Sequence, residues 1–162
     1  MRCENCGGQL DLVQNRDYFV CPFCLAFHFP DTKPITDDGV RLLGAPPSEL
    51  PCPVCDPLPL SLASLDRSPV LSCERCRGVL LSSGALFNLV LLRRSNPERF
   101  RGPAVAIDPR ELTRVLSCPK CRGRMDTAPY LGPGNVVIDS CGDCTLIWLD
   151  HGELALIERH PS

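Results

Sequence analysis

Residues 141–154 read Cys141-Gly-Asp-Cys144-Thr-Leu-Ile-Trp148-Leu-Asp150-His151-Gly152-Glu153-Leu154, and residues 73–86 read Cys73-Glu-Arg-Cys76-Arg-Gly78-Val-Leu80-Leu-Ser82-Ser-Gly84-Ala85-Leu86. Both cysteines, the glycine and the final leucine recur at an offset of 68. A C-x-x-C turn, an apolar run and a glycine-led segment have been duplicated as one structural unit. Working outward, each copy is preceded by another C-x-x-C pair, Cys118/Cys121 and Cys52/Cys55, here at an offset of 66. The two extra residues of the later copy fall in its loop, where the Gly132-Pro133-Gly134 turn is the natural place for a length change. The N-terminal stretch adds Cys3/Cys6 and Cys21/Cys24, so all 12 cysteines fall into pairs.

Two pairs at a time, the chain contains C-x2-C-xn-C-x2-C three times, with gaps of 14, 17 and 19 residues. These spacings predict three tetrathiolate sites: Cys3, Cys6, Cys21 and Cys24; Cys52, Cys55, Cys73 and Cys76; Cys118, Cys121, Cys141 and Cys144. Three Zn2+ per chain is the expected loading, with iron of the rubredoxin kind as the rival, since thiolate softness suits both metals. A redox C-x-x-C usually stands alone at a helix start, whereas six matched pairs favour metal binding over thiol exchange. The N-terminus runs straight into Cys3, and no apolar run reaches the ~18 residues that span a bilayer. Unpaired thiols without a secretory signal are expected in a reducing compartment, and a cytoplasmic location with no membrane association follows.

Units of this size rarely fold by burial alone, and a structural zinc site contributes roughly 10 to 16 kcal/mol of apparent binding free energy to folding. The expected fold class is therefore small, metal-stabilised and β-rich: three tandem zinc ribbons with short helices after the second and third. The expected organisation is ribbon 1 over 1–29, a proline-rich linker over 30–50, ribbon 2 with an apolar helix over 51–94, a linker with a short helix over 95–116, and ribbon 3 over 117–160. Tyr18-Phe19-Val20, Pro69-Val70-Leu71 and Val136-Val137-Ile138 are predicted strands that deliver the second pair of each site, and Gln9–Val13 completes the first hairpin. Val40–Leu43 is a further short-strand candidate within the first linker. Gly7, Gly78 and Gly123 follow ligand pairs, where positive φ is expected; the Leu25 and Thr145 turns lack the glycine. Asp150 and Glu153 form a capping-box pattern ahead of Leu154 and Ile157. Asp108-Pro109-Arg110-Glu111 repeats it ahead of Leu112, Val115 and Leu116. The helix expected over 84–94 is apolar nearly all round, which predicts packing between modules or against another subunit.

The residues Cys118, Pro119, Cys121, Ile138, Asp139, Cys141, Cys144, Trp148, Leu149, Asp150, Gly152, Glu153 and Leu154 together resemble the transcription-factor-IIB-type zinc-ribbon family of small bacterial proteins. That family shares a CPxC pair, an Ile-Asp-x-Cys-x-x-Cys segment and Trp-Leu-Asp-x-Gly-Glu-Leu. Leu146 departs from it, standing where glycine is usual. Residues 52–92 look like a diverged copy, keeping Gly78 but with Leu80, Ser82 and Ala85 in place of the tryptophan, aspartate and glutamate. The resemblance implies zinc binding and a ribbon fold, and little about activity.

Four sulfurs close each site and leave no open coordination position, and no phosphate loop or Ser/His/Asp arrangement is visible, so an enzyme is not expected. His28, His151 and His160 read as surface or cap residues. Trp148, Tyr18, Phe19, Phe27 and Phe29 read as core. The net charge is −2, made of −3 over residues 1–50 and a small positive excess over 51–100. Two functions are expected from this. The first is a protein-interaction adaptor that binds another protein or itself through the 84–94 helix. The alternative is a nucleic-acid-binding, transcription-associated protein using Arg75, Arg77, Arg93, Arg94, Arg122 and Arg124, although the charge lacks the clustered basic face usual in such domains.

Overall fold

A computed structural model describes residues 1–13, 18–28, 33–34, 39–95, 106–130 and 135–158. The Gly132–Gly134 turn, Phe29, Asp37, Asp38, Arg99, Arg101 and His160 lie outside the described residues. The first ribbon is a small antiparallel sheet of β1 (Asp11–Leu12), β2 (Phe19–Val20) and β3 (Phe27–His28), in that order. Next come β4 (Lys33–Pro34) and β5 (Arg41–Leu42), within the proline-rich stretch expected as a connector. The second ribbon is β6 (Ser61–Leu65), β7 (Ser68–Ser72) and β8 (Val79–Ser82), followed by α1 (Ser83–Arg94). The third is β9 (Asp126–Pro129), β10 (Val137–Cys141) and β11 (Leu146–Leu149), followed by α2 (Glu153–Ile157).

The second and third ribbons share one sheet, in the order β4-β5-β6-β7-β8-β11-β10-β9. They join where β8 pairs antiparallel with β11, and the register sets Leu80 opposite Trp148. Those residues hold the same place in the two repeats, so an approximate two-fold axis passes between them. A cleft of about 130 Å3 bears this out, because Pro51, Pro53 and Asp56 of one repeat face their counterparts Ser117, Pro119 and Arg122 of the other.

Strand alternation sorts the core into two faces. Val79, Leu81, Ile147 and Leu149 point to one side, where they meet Leu86, Leu89 and Val90 of α1 and Leu154 and Ile157 of α2. Leu80 and Trp148 point to the other, into a cluster with Cys52, Cys73, Cys118, Cys141, Leu60, Leu116 and Met125. Helices thus cover one face of the joined sheet and thiolate turns cover the other. The expected helix over 84–94 is present, capped by Ser82, whose hydroxyl accepts from the Ala85 amide at 3.1 Å. It packs on its own chain with one stripe and leaves Phe87, Leu91 and Leu92 exposed. The helix expected after Asp108 is corrected to a single 3-10 turn, Glu111–Thr113, with Val115 exposed and only Leu116 buried. Beyond it Arg114 turns extended, and the chain runs beside β9 through the Ser117–Arg124 bridge and the Met125 amide donating to the Leu116 carbonyl. That sheet edge competes with continued helix.

Gly78 does not adopt the positive φ expected of it; a Cβ there would lie 2.1 Å from Cζ2 of Trp148. The glycine is needed for close approach, so that an indole from the third ribbon can lie on the second. Gly78→Ala is expected to cost about 2–3 kcal/mol in urea denaturation, through overpacking against a ring that has nowhere to go. Adding Trp148→Leu should recover part of that loss, and strictly additive effects would show that the two residues do not share the contact.

Candidate metal centres

Each cysteine pair sits on a knuckle with its own hydrogen bonds. The amides of Cys3, Cys21, Cys73 and Cys118 donate to the carbonyls of Gly8, Ala26, Gly78 and Gly123, at 2.8 to 3.0 Å. In return the amides of Gly7, Leu25, Arg77 and Arg122 donate to the carbonyls of those four cysteines, at 2.8 to 2.9 Å. Those four donors, with Thr145, carry the positive φ that closes the turn. The expectation for Gly78 and Gly123 was therefore one residue late, and only Gly7 met it. Leu25, Arg77, Arg122 and Thr145 show that side-chain-bearing residues tolerate this left-handed step once the knuckle bonds fix it. The Cys52 knuckle is a residue longer, with its amide donating to the Leu58 carbonyl at 2.7 Å.

The knuckles bring the twelve sulfurs into three quartets, within each of which all four Sγ atoms lie inside 4.8 Å of one another. Cys3 to Cys24 is 3.5 Å, Cys6 to Cys21 3.4 Å, Cys52 to Cys76 3.6 Å and Cys121 to Cys141 3.7 Å. A tetrahedron with metal–sulfur bonds of about 2.3 Å has edges of about 3.8 Å, so the quartets fit a four-coordinate thiolate ion. In every pair the first cysteine is buried, and Cys6 and Cys121 are exposed while Cys55, Cys76 and Cys144 are intermediate. Proton affinities diverge within a quartet. Burial opposes ionisation of Cys3, but the amides of Cys6 and Asn5, with His28 and Cys24, bring it down to about 6. At Cys6 the Gly8 amide favours the thiolate, yet the neighbouring thiols of Cys21 and Cys24 prevail and push it up to about 12. Burial holds Cys52 up at about 11. A divalent cation is the natural replacement for the protons that such a quartet retains.

Residues 117–159 match the family described as transcription factor zinc-finger, and residues 2–28 match a second family, described as a zinc ribbon domain. The chain is a zinc-ribbon domain protein. Three four-cysteine sites accompany those ribbons, and the second lies between the two matched segments. No curated protein and no solved structure matches the chain.

Around the third site of this zinc-ribbon protein, the polar residues are structural. Asp139 is fully buried and takes hydrogen bonds from Arg114 and Thr127; Arg114 also binds Asp150. The other Asp150 oxygen accepts from the Trp148 indole at 2.9 Å. The expected capping box is thus half made, because Asp150 orients Trp148 while Gly152, at φ 89°, stands at the helix start. Glu153 keeps its part and accepts from the Asp150 amide at 2.8 Å. Trp148 is core, as expected, and so is Phe19, whereas Phe27 is exposed and only edges against Tyr18, with ring centroids 5.7 Å apart. Arg93 is buried against Asp66 and Glu158, which removes it from any nucleic-acid surface. His151 is exposed, but His28 approaches the Cys3 sulfur at 3.3 Å, a contact that four-residue spacing from Cys24 did not reveal.

Because one cluster contains cysteines of both the second and third quartets, Cys118→Ser is expected to release metal from both sites. Cys21→Ser should empty the first site alone. Elemental analysis of purified variants decides, and two ions retained by Cys118→Ser would show the sites to be independent. A second expectation concerns Glu153, whose carboxyl burial pushes up to about 8, helped by the Asp150 charge. The folded state therefore holds a proton that the unfolded chain gives up above about pH 4.5, and stability falls as pH rises toward 8. Glu153→Gln keeps the acceptor and loses the titration, so its thermal midpoint should exceed the parent's by several degrees near pH 9, and by much less near pH 6.5. A constant difference across that range would refute the assignment.

Proposed function

We propose that the protein is a zinc-stabilised adaptor, in which structural ions hold a rigid frame that presents apolar side chains to another protein. The observation that carries this reading is the exposure of large apolar residues at two separate places. Phe23, Leu25 and Phe27 are 76, 70 and 60% exposed around the second knuckle of ribbon 1. Phe87, Leu91 and Leu92 are 60, 54 and 65% exposed on α1. Apolar groups gathered on a surface cost free energy in water and mark interaction sites when they recur at a structured position. The metal plays a static part, since four thiolates leave no place for substrate or water, and the reading includes no catalytic step. Zn2+ is the metal proposed, in a reducing compartment such as the cytoplasm. No helix among the described residues is long and apolar enough to cross a membrane.

Nucleic-acid binding is the second reading, supported by exposed Arg75, Arg77, Lys120, Arg122 and Arg124 on the knuckles and by the transcription factor zinc-finger match. It ranks lower because Trp148 is buried and the exposed aromatics sit on the acidic ribbon 1. Affinity purification of the full chain from its source, beside a Phe87→Ser/Leu91→Ser variant and a Phe23→Ser/Phe27→Ser variant, tests the adaptor. A co-purifying protein lost with one variant, while zinc content and unfolding stay unchanged, is the expected result. Steeply salt-dependent binding of a labelled duplex, with protein partners unaffected by either variant, would instead favour the nucleic-acid reading.

A further inference from the structure

We infer that His28 is an outer-sphere hydrogen-bond donor to Cys3 that positions this ligand and sets the first metal site apart from the other two. The inference rests on the quartets being metal sites. β3 pairs with β2 in a register that sets His28 opposite Phe19, which is buried beside Cys3 and Cys21. From there the imidazole Nε2 lies 3.3 Å from Cys3 Sγ, while the same sulfur lies 3.5 Å from Cys24 Sγ. His28 does not belong to the quartet whose ligand atoms are mutually within 4.8 Å, so it touches the site from outside, through one sulfur. A metal-bound thiolate carries no proton, so the hydrogen in this contact belongs to the ring, and Nε2–H donates to sulfur. Four thiolates on a divalent ion leave a net charge of about −2, and a donor outside the shell draws charge off one sulfur while fixing its direction.

The first site has particular use for such support. Its core is the smallest, built on Leu10, Phe19 and Leu43, while the second and third quartets share a larger cluster across the two-fold axis. Residues 51–94 contain no histidine at all, and His151 of the third ribbon is exposed. The imidazole is therefore a feature of one site, not of the repeat.

The test uses the full-length chain. Zinc-loaded, 15N-labelled protein should show His28 protonated at Nε2, and a 113Cd-loaded sample should show coupling from one cadmium to that proton. In Co2+ titrations with competing chelator, His28→Phe should still take three ions, but one of them about 10- to 100-fold more weakly and with a shifted sulfur-to-cobalt band. His28→Gln, which can still donate an N–H, should stay within a few-fold of the parent. An unprotonated Nε2 in the zinc-loaded parent, or unchanged affinity and spectrum in His28→Phe, overturns the assignment. The isotope measurement on the parent decides alone if the phenylalanine variant does not fold. Parent protein that takes up fewer than three ions refutes the metal reading of a quartet, an outcome distinct from three ions bound with no effect of His28.

Discussion

The contact on which most of this molecule depends is the indole of Trp148 lying over the bare backbone of Gly78. It is made across the β8–β11 pairing, the seam between the second and third ribbons. Two short ribbons, each too small to bury much surface alone, thereby become a single sheet with two covered faces. The exchange of size between the repeats is reciprocal. Gly78 of the second ribbon corresponds to Leu146 of the third, and Leu80 corresponds to Trp148. Across a two-fold axis the large tryptophan meets the missing side chain, and the smaller Leu80 stands by the larger Leu146 in the same cluster. Volume is conserved at the seam although neither repeat conserves it separately, which is how packed cores tolerate substitution.

Buried charges then fix what the apolar seam leaves free. Arg114 ties Asp139 of β10 to Asp150 after β11, and Asp150 holds the Trp148 indole, so a residue ahead of the third ribbon orients the side chain that docks on the second. On the opposite face, Arg93 near the end of α1 meets Glu158 just past α2, and the Arg94 guanidinium donates to the Ile157 carbonyl. Such pairs add little net stability relative to well-packed apolar groups, because desolvation offsets attraction. Losing one member is costly, however, since it strands a charge in the core. Their effect is to penalise every arrangement of ribbons and helices except the one that satisfies them.

Much of the fold was legible because cysteine spacing and strand alternation are local. The quartets, the hairpins around Phe19, Val70 and Ile138, and the helix capped by Ser82 all follow from patterns within about 40 residues. The joined sheet was hidden because edge pairing of two ribbons leaves no periodic mark; its signal was the Gly78/Trp148 and Leu146/Leu80 exchange, interpretable only once the seam is known. Asp150 misled for a related reason. Its position suits a helix cap, yet tertiary partners in Arg114 and Trp148 claimed its oxygens. His28 escaped because a donor outside a metal shell has no spacing rule, unlike a ligand within it.

The three ribbons consequently divide the work of the chain unequally. The second and third spend their distinctive residues on each other: Gly78, Trp148, Arg114 and Asp139 all face inward. Ribbon 1 has no such partner seam; it rests on Leu43 and Leu62 through a small cluster, and turns Phe23, Leu25 and Phe27 outward. A unit with little core and an apolar tip has to obtain rigidity from its metal and its knuckle bonds. The same ion that lets so short a segment fold therefore also holds three hydrophobic side chains in water at a fixed geometry, which is the condition for recognising a partner without first ordering a loop.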